Sequence, residues 1–94
     1  MDNLNKNLNQ LREEIDSLDN KLISMLAKRM KVVEVVGKYK AKHSLKPLDK
    51  KRWQAILNSR IALGKEAGLS QIFIQSVFDI IHRHSLLIQK GMKP

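Results

Sequence analysis

Residues 4–42 read LNKNLNQLREEIDSLDNKLISMLAKRMKVVEVVGKYKAK, and the fold turns on how that stretch is read. Leu4, Leu8, Leu11, Ile15, Leu18, Leu22 and Met25 recur at alternating spacings of four and three, the signature of a heptad seam on one helix. Polar residues fill the intervals, and β-branched residues are scarce before Val32. Asp2 or Asn3 can cap the start, and no proline intervenes before Pro47. Gly37 is the one weak point inside the run, costing ~1 kcal/mol relative to alanine. The spacing predicts a single helix from about residue 5 to about residue 42, followed by a loop over His43, Ser44, Leu45, Lys46 and Pro47.

Working outward, a second helix opens with Asp49 as N-cap and carries Trp53, Ile56, Leu57 and Ile61. It ends around Gly64 to Gly68, with Lys65 in its last turn. Ser70 caps a third helix bearing Phe73, Val77, Ile80, Ile81, Leu87 and Ile88, and residues 90–94 read as a frayed tail of a single domain spanning 1–94. No strand-like alternation, internal repeat or low-complexity tract interrupts this reading. The predicted class is all-α, three helices with a very long first one. At 1.5 Å per residue that helix is ~57 Å long, whereas a compact globule of this size is roughly 30 Å across. Two short helices cannot cover its seam, so the expected assembly is an intertwined homodimer in which the long helices pair. A first helix broken near Gly37 or Glu34 would instead give a monomeric bundle.

Composition narrows the function. The chain has 94 residues, 43% of them hydrophobic, which suits one small domain with a packed core. There is no cysteine, hence no disulfide framework and no thiolate metal site. The three histidines lack HxxxH or HxxE spacing, so no metal is expected. Apolar runs such as Leu86-Leu87-Ile88 are far too short to span a membrane. The polar opening MDNLNKNLNQ has no signal-peptide core, and a cytoplasmic protein is expected. Eighteen Lys and Arg against nine Asp and Glu leave a formal charge of +9, which suits an anionic partner.

The position of the cations matters more than their number. Four residues past Met25 the seam reaches Arg29, where leucine or isoleucine is due. An arginine in a seam is costly unless it is paired or holds an anion. Lys40 lies eleven residues further on, within ~20° of the same face and about 16 Å along the axis, so both can reach one ligand. Arg29 can equally pair with an interior carboxylate or snorkel out beside the seam. On the third helix Phe78, His82, Ser85 and Gln89 form a stripe that starts apolar and turns polar, and Ser85 and Gln89 can serve one ligand. Taken singly, each reads as a solvated surface residue. Asp49, Arg52 and Trp53 share a face of the second helix, where Asp49 is most economically a cap and Arg52 a surface charge. Arg12 stands ~25 Å and ~260° from Arg29 on the first helix. It cannot serve the same pocket within one subunit, though an antiparallel partner's pocket is within its geometry.

This constellation resembles the all-helical chorismate mutases, small intertwined homodimers with three helices per chain. The likeness runs without gaps from LREEIDSLDNKLISMLAKRMKVVEVVGKYK through DKKRW and IALGKEAGL to HSLLIQK. Its most specific part is the opening pattern, here Leu11-Arg12, Ile15-Asp16, Leu18-Asp19 and Arg29. The resemblance implies that Arg29, with Arg12 from the other subunit, clamps the two carboxylates of chorismate. It assigns Lys40 and Gln89 to the ether oxygen of the breaking bond. Asp49, Arg52 and Ser85 are implied around the ring hydroxyl and the substrate carboxylates. No cofactor or metal is implied, and the length leads to the expectation of a free-standing enzyme.

Two positions depart from the family pattern. Trp53 stands directly after Arg52, where a hydroxyl-binding glutamate is common, and His82 replaces what is usually an apolar wall. Relatives acting as isochorismate–pyruvate lyases also carry an apolar residue after the arginine, and others act on 4-amino-4-deoxychorismate. Asp49, Ser85 and Gln89 together look more mutase-like. A basic helical dimer that binds nucleic acid is the reading from a different class, weakened by the single Trp, the single Tyr and the absence of a recognisable reading module. A catalytically dead dimerisation module is the blandest reading. The expected protein is a cytoplasmic isomerase with a small dianionic substrate, no nucleic acid and no membrane.

Overall fold

A computed structural model describes residues 5–92 as three helices, α1 (Leu8–Lys42), α2 (Lys50–Glu66) and α3 (Gln71–Gly91). The expected all-α class and long first helix are both present. Contacts divide the chain into two units, one ending at Lys31 and one beginning at Val32.

The first unit is the leading part of α1. The caps expected at Asp2 or Asn3 lie outside the described residues, and α1 starts directly after Asn7 for a local reason. Gln10 donates its backbone N–H to Asn7 Oδ1 at 2.9 Å, while Asn7 donates its own N–H to Gln10 Oε1 at 2.9 Å. This reciprocal capping box satisfies two amides that the first turn leaves without helical partners. Lys6 pairs with Glu14 at 2.6 Å, a surface ion pair that contributes little. The heptad seam is the dominant feature. Leu8, Ile15, Leu18, Leu22 and Met25 are each between 55 and 61% exposed, and only Leu11 is half-buried.

The second unit holds the end of α1 together with α2 and α3. α1 stops at a Schellman turn in which Leu45 donates to the Lys40 carbonyl and Ser44 to that of Ala41. Ser44 occupies the left-handed position (φ 57°), a place usually filled by glycine. Lys40 and Lys42 lie in the last turn, where the helix dipole favours cations. α2 begins as expected at Asp49, whose carboxylate accepts the Arg52 N–H at 3.0 Å. It ends in the same kind of turn, with Gly68 left-handed (φ 82°) and Leu69 donating to the Gly64 carbonyl at 2.8 Å. Ser70 caps α3 by accepting the Phe73 N–H at 3.1 Å.

Helix α2 packs on α3 around Leu57 and Ile74, the buried apolar pair of this unit. Two glycines set the closest approaches. A β-carbon on Gly64 would overlap the Ile74 side chain. A β-carbon on Gly37 would stand 2.9 Å from Gln89 Cα and 2.8 Å from Met92 Cγ. The weak point of the α1 sequence is thus the place where α1 meets α3, and Gly37 is the only buried residue among those described in α1. The end of α3 differs from the sequence expectation. Lys90 and Gly91 continue the helix, and Met92 is half-buried against the Gly37 crossing rather than frayed. Among the described residues, no helix is long and apolar enough to cross a membrane.

Candidate active site

Arg12 and Arg29 belong to the first unit. Arg12 is exposed, and Arg29, at the continuation of the seam, is half-buried. The other candidate residues belong to the second unit, where the geometry is more informative.

Lys40 is half-buried near the end of α1, and its ammonium donates to the Pro47 carbonyl at 2.7 Å. Because Pro47 belongs to the loop that feeds α2, this bond ties the last turn of α1 to the start of the second helix. Lys40 and Asp49 share an open cleft of about 380 Å³, lined also by Leu45, Lys46, Leu48, Lys50 and Lys51. Four ammonium groups against one carboxylate make the cleft strongly positive. Asp49 is exposed, and one of its oxygens is already engaged in capping α2. Its economical role as a cap is therefore real, and its second oxygen faces no such demand. Arg52 is exposed one turn further on.

On α3 the stripe that turns polar points inward, against the expectation for each residue taken singly. Phe78, His82 and Gln89 are half-buried, and Ser85 is only 6% exposed. Ser85 donates its hydroxyl to the Ile81 carbonyl at 2.8 Å. Gln89 is different. Its Oε1 is buried without a hydrogen-bond partner among the described residues, and its backbone lies against Gly37, which precedes Lys40 by one turn of α1. A buried amide end left unpaired costs about 1–3 kcal/mol, which folding alone has no reason to tolerate.

The structure pairs the two residues that depart from the family pattern and adds groups that the sequence did not single out. The Trp53 indole and His82 imidazole stack at a centroid separation of 3.8 Å and an angle of 9°, joining α2 to α3 beside Arg52. Such a pair contributes ~0.5–1.5 kcal/mol beyond the area it covers. Lys46, Lys50 and Lys51 form the rim of the Lys40 cleft. A signal for them was present, because α2 has no acidic residue in its first turn and opens with Lys50, Lys51 and Arg52, where the dipole disfavours cations. Tyr39 leans on His43 with ring centroids 4.2 Å apart. Among the described residues, no group of three histidines or carboxylates could hold a metal ion.

The chain is also similar in sequence to known proteins. The family model for chorismate mutase type II matches residues 11–90. The chain belongs to that family of isomerases and forms a chorismate mutase domain. The T-protein of Haemophilus influenzae is 41% identical over 78 residues, which cover 83% of this chain and 21% of the relative. The bifunctional chorismate mutase/prephenate dehydratase of Escherichia coli K12 is 35% identical over 82 residues, covering 87% of this chain and 21% of the relative. Its counterpart from Buchnera aphidicola subsp. Schizaphis graminum is 32% identical over 81 residues, or 86% and 21% respectively. The chain spans about a fifth of the length of these curated relatives.

Proposed function

We propose that this chain converts chorismate to prephenate, and that Gln89 and Lys40 together stabilise the oxygen of the breaking bond. The observation that carries the proposal is the amide oxygen of Gln89, buried without a partner among the described residues, on the residue of α3 whose backbone meets α1 at Gly37, three residues before Lys40. The rearrangement is concerted and intramolecular. One carbon–oxygen bond breaks as one carbon–carbon bond forms, and no proton, nucleophile or metal is exchanged. A protein can speed it by holding the conformer in which the reacting ends meet and by favouring the negative charge that grows on the ether oxygen. Rotation of the Gln89 amide presents its NH₂ as a donor, and Lys40 adds a full charge. Both contacts strengthen as the oxygen becomes more negative, which is differential binding of the transition state.

The remaining candidate residues take supporting roles. Arg29, and Arg12 supplied by a second copy, hold the substrate carboxylates, while Asp49, Arg52 and Ser85 orient the ring. The exposed seam on α1 supports the second copy, because five large apolar side chains on one stripe are the kind of surface that a partner helix covers. A small dianionic substrate suits the lysine-lined cleft better than a nucleic acid does, and we place the protein in the cytoplasm.

The test is consumption of chorismate and appearance of prephenate at neutral pH, with Lys40→Ala and Gln89→Ala alongside. Each variant should lose turnover by orders of magnitude while keeping its helical content. Turnover like that of the unaltered chain in both variants would remove the roles assigned to them. The Trp53–His82 stack favours one further comparison, since an indole beside Arg52 cannot accept a hydrogen bond from a ring hydroxyl. Isochorismate and 4-amino-4-deoxychorismate belong in the same assay. Release of pyruvate from the first, or preferential rearrangement of the second, would replace chorismate as the substrate.

A further inference from the structure

We propose that Gly37 is a positioning residue for the rearrangement: its missing side chain lets α1 lie against the backbone of α3 at Gln89 and so fixes the spacing between Lys40 and Gln89. The inference rests on the mutase reading of those two residues.

Three observations converge on it. Gly37 is the buried residue of α1, although glycine is the poorest helix former apart from proline. A β-carbon there would meet Met92 Cγ at 2.8 Å, Met92 Cβ at 3.1 Å and Gln89 Cα at 2.9 Å. The Met92 Cγ contact belongs to a flexible side chain that can swing away, whereas the Cβ contact shifts only with the Met92 backbone just past the end of α3. The third contact is backbone, so it yields only if the two helices part at Gln89 itself. Lys40 follows Gly37 by three residues, one turn along the same side of α1. Any added carbon therefore changes the distance between the two groups that act on the oxygen, by roughly half to one ångström. A displacement of about 1 Å from a productive geometry can cost ~10²-fold in rate.

Gly64 provides the matched comparison. It sits in an equally close approach, but its neighbour is the Ile74 side chain in the α2–α3 core, away from Lys40 and Gln89. An alanine there disturbs packing without touching the crossing.

The experiment measures kcat, KM and thermal unfolding for the unaltered chain, Gly37→Ala and Gly64→Ala. We expect Gly37→Ala to lower kcat by roughly 10- to 100-fold with KM changed by less than about threefold. Gly64→Ala should lose thermal stability while holding kcat within about twofold at temperatures where it is folded. A folded Gly37→Ala with kcat within about twofold of the parent overturns the proposal, as does an equal fall of kcat in both variants. If Gly37→Ala does not fold, the same change in a Met92→Ala background, relieved of the closer methionine contact at Cγ, carries the test. Failure of both to fold makes Gly37 a packing residue alone and overturns the positioning role. Failure of the inference and of the mutase reading are separable. Loss of turnover in Lys40→Ala but not in Gly37→Ala removes only the inference, whereas an unaltered chain that leaves chorismate intact removes both.

Discussion

Replacing Gln89 by leucine should make the protein more stable and nearly inactive at once. The amide oxygen of Gln89 is shut away from water with no hydrogen bond among the described residues. That arrangement carries a desolvation cost of about 1–3 kcal/mol. Leucine is similar in size, is at least as good a helix former, and brings no polar atom to be stranded. Because Gln89 as a whole is only half-buried, the lower end of the range applies, about 1 kcal/mol of added stability. For a domain of this size 1 kcal/mol corresponds to a rise in Tm of ~4–8 °C. The same substitution removes a donor to the oxygen that gains charge, a loss worth ~10²–10³ in kcat where such donors have been deleted. The assay is a thermal melt followed by circular dichroism at fixed protein concentration, paired with chorismate consumption on the same preparation. A variant less stable than the parent by ~1 kcal/mol would mean that the amide serves the fold. Parent-like turnover would mean that it does not serve the reaction. Either result refutes the reasoning.

Ser44→Gly should add about 1 kcal/mol of stability, since a left-handed residue with a β-carbon closes α1; an unchanged denaturant midpoint would argue against strain there. Turnover should depend on salt through the rim of the Lys40 cleft. In Lys46→Glu/Lys50→Glu, kcat/KM should fall several-fold at low ionic strength and converge on the parent in high salt, with kcat little altered; parallel salt profiles would exclude a steering role. Arg12→Ala and Arg29→Ala should each be inactive, yet equal mixing after subunit exchange should restore about a quarter of parental activity, because half the dimers would carry one intact pocket. No recovery would mean that the pocket is not shared.

Most of the fold was legible because it is written in local pattern. The heptad run gave α1, and Asp49 and Ser70 gave the starts of α2 and α3 by the side-chain oxygens they offer to Arg52 and Phe73. The start of α1 was misplaced by one turn because the Asn7–Gln10 box competes through side-chain geometry, which apolar periodicity does not record. The end of α3 was cut short for a related reason. Gly91 and Pro94 look like helix breakers, but Met92 finds a tertiary contact at Gly37 that no local rule contains. In the site, the polar turn of the stripe ending in Ser85 and Gln89 was visible, while its burial was not. The Trp53–His82 stack and the Gly37 crossing depend on which turns of separate helices face each other, and neither residue spacing nor composition encodes that directly. The roles of Arg12, Arg29 and Lys40 came chiefly from the family pattern, since a cation on a helix face has many uses.

The indole of Trp53, the only tryptophan in the sequence, lies flat on an imidazole at the junction of α2 and α3. Imidazole in van der Waals contact quenches indole emission, and more strongly once it is protonated. The molecule thus carries an intrinsic fluorescent reporter, without any label, at the seam between two helices that would flank a bound substrate. Its brightness follows any parting of the two rings in real time, and a stopped-flow trace of it would time events that product analysis can only average.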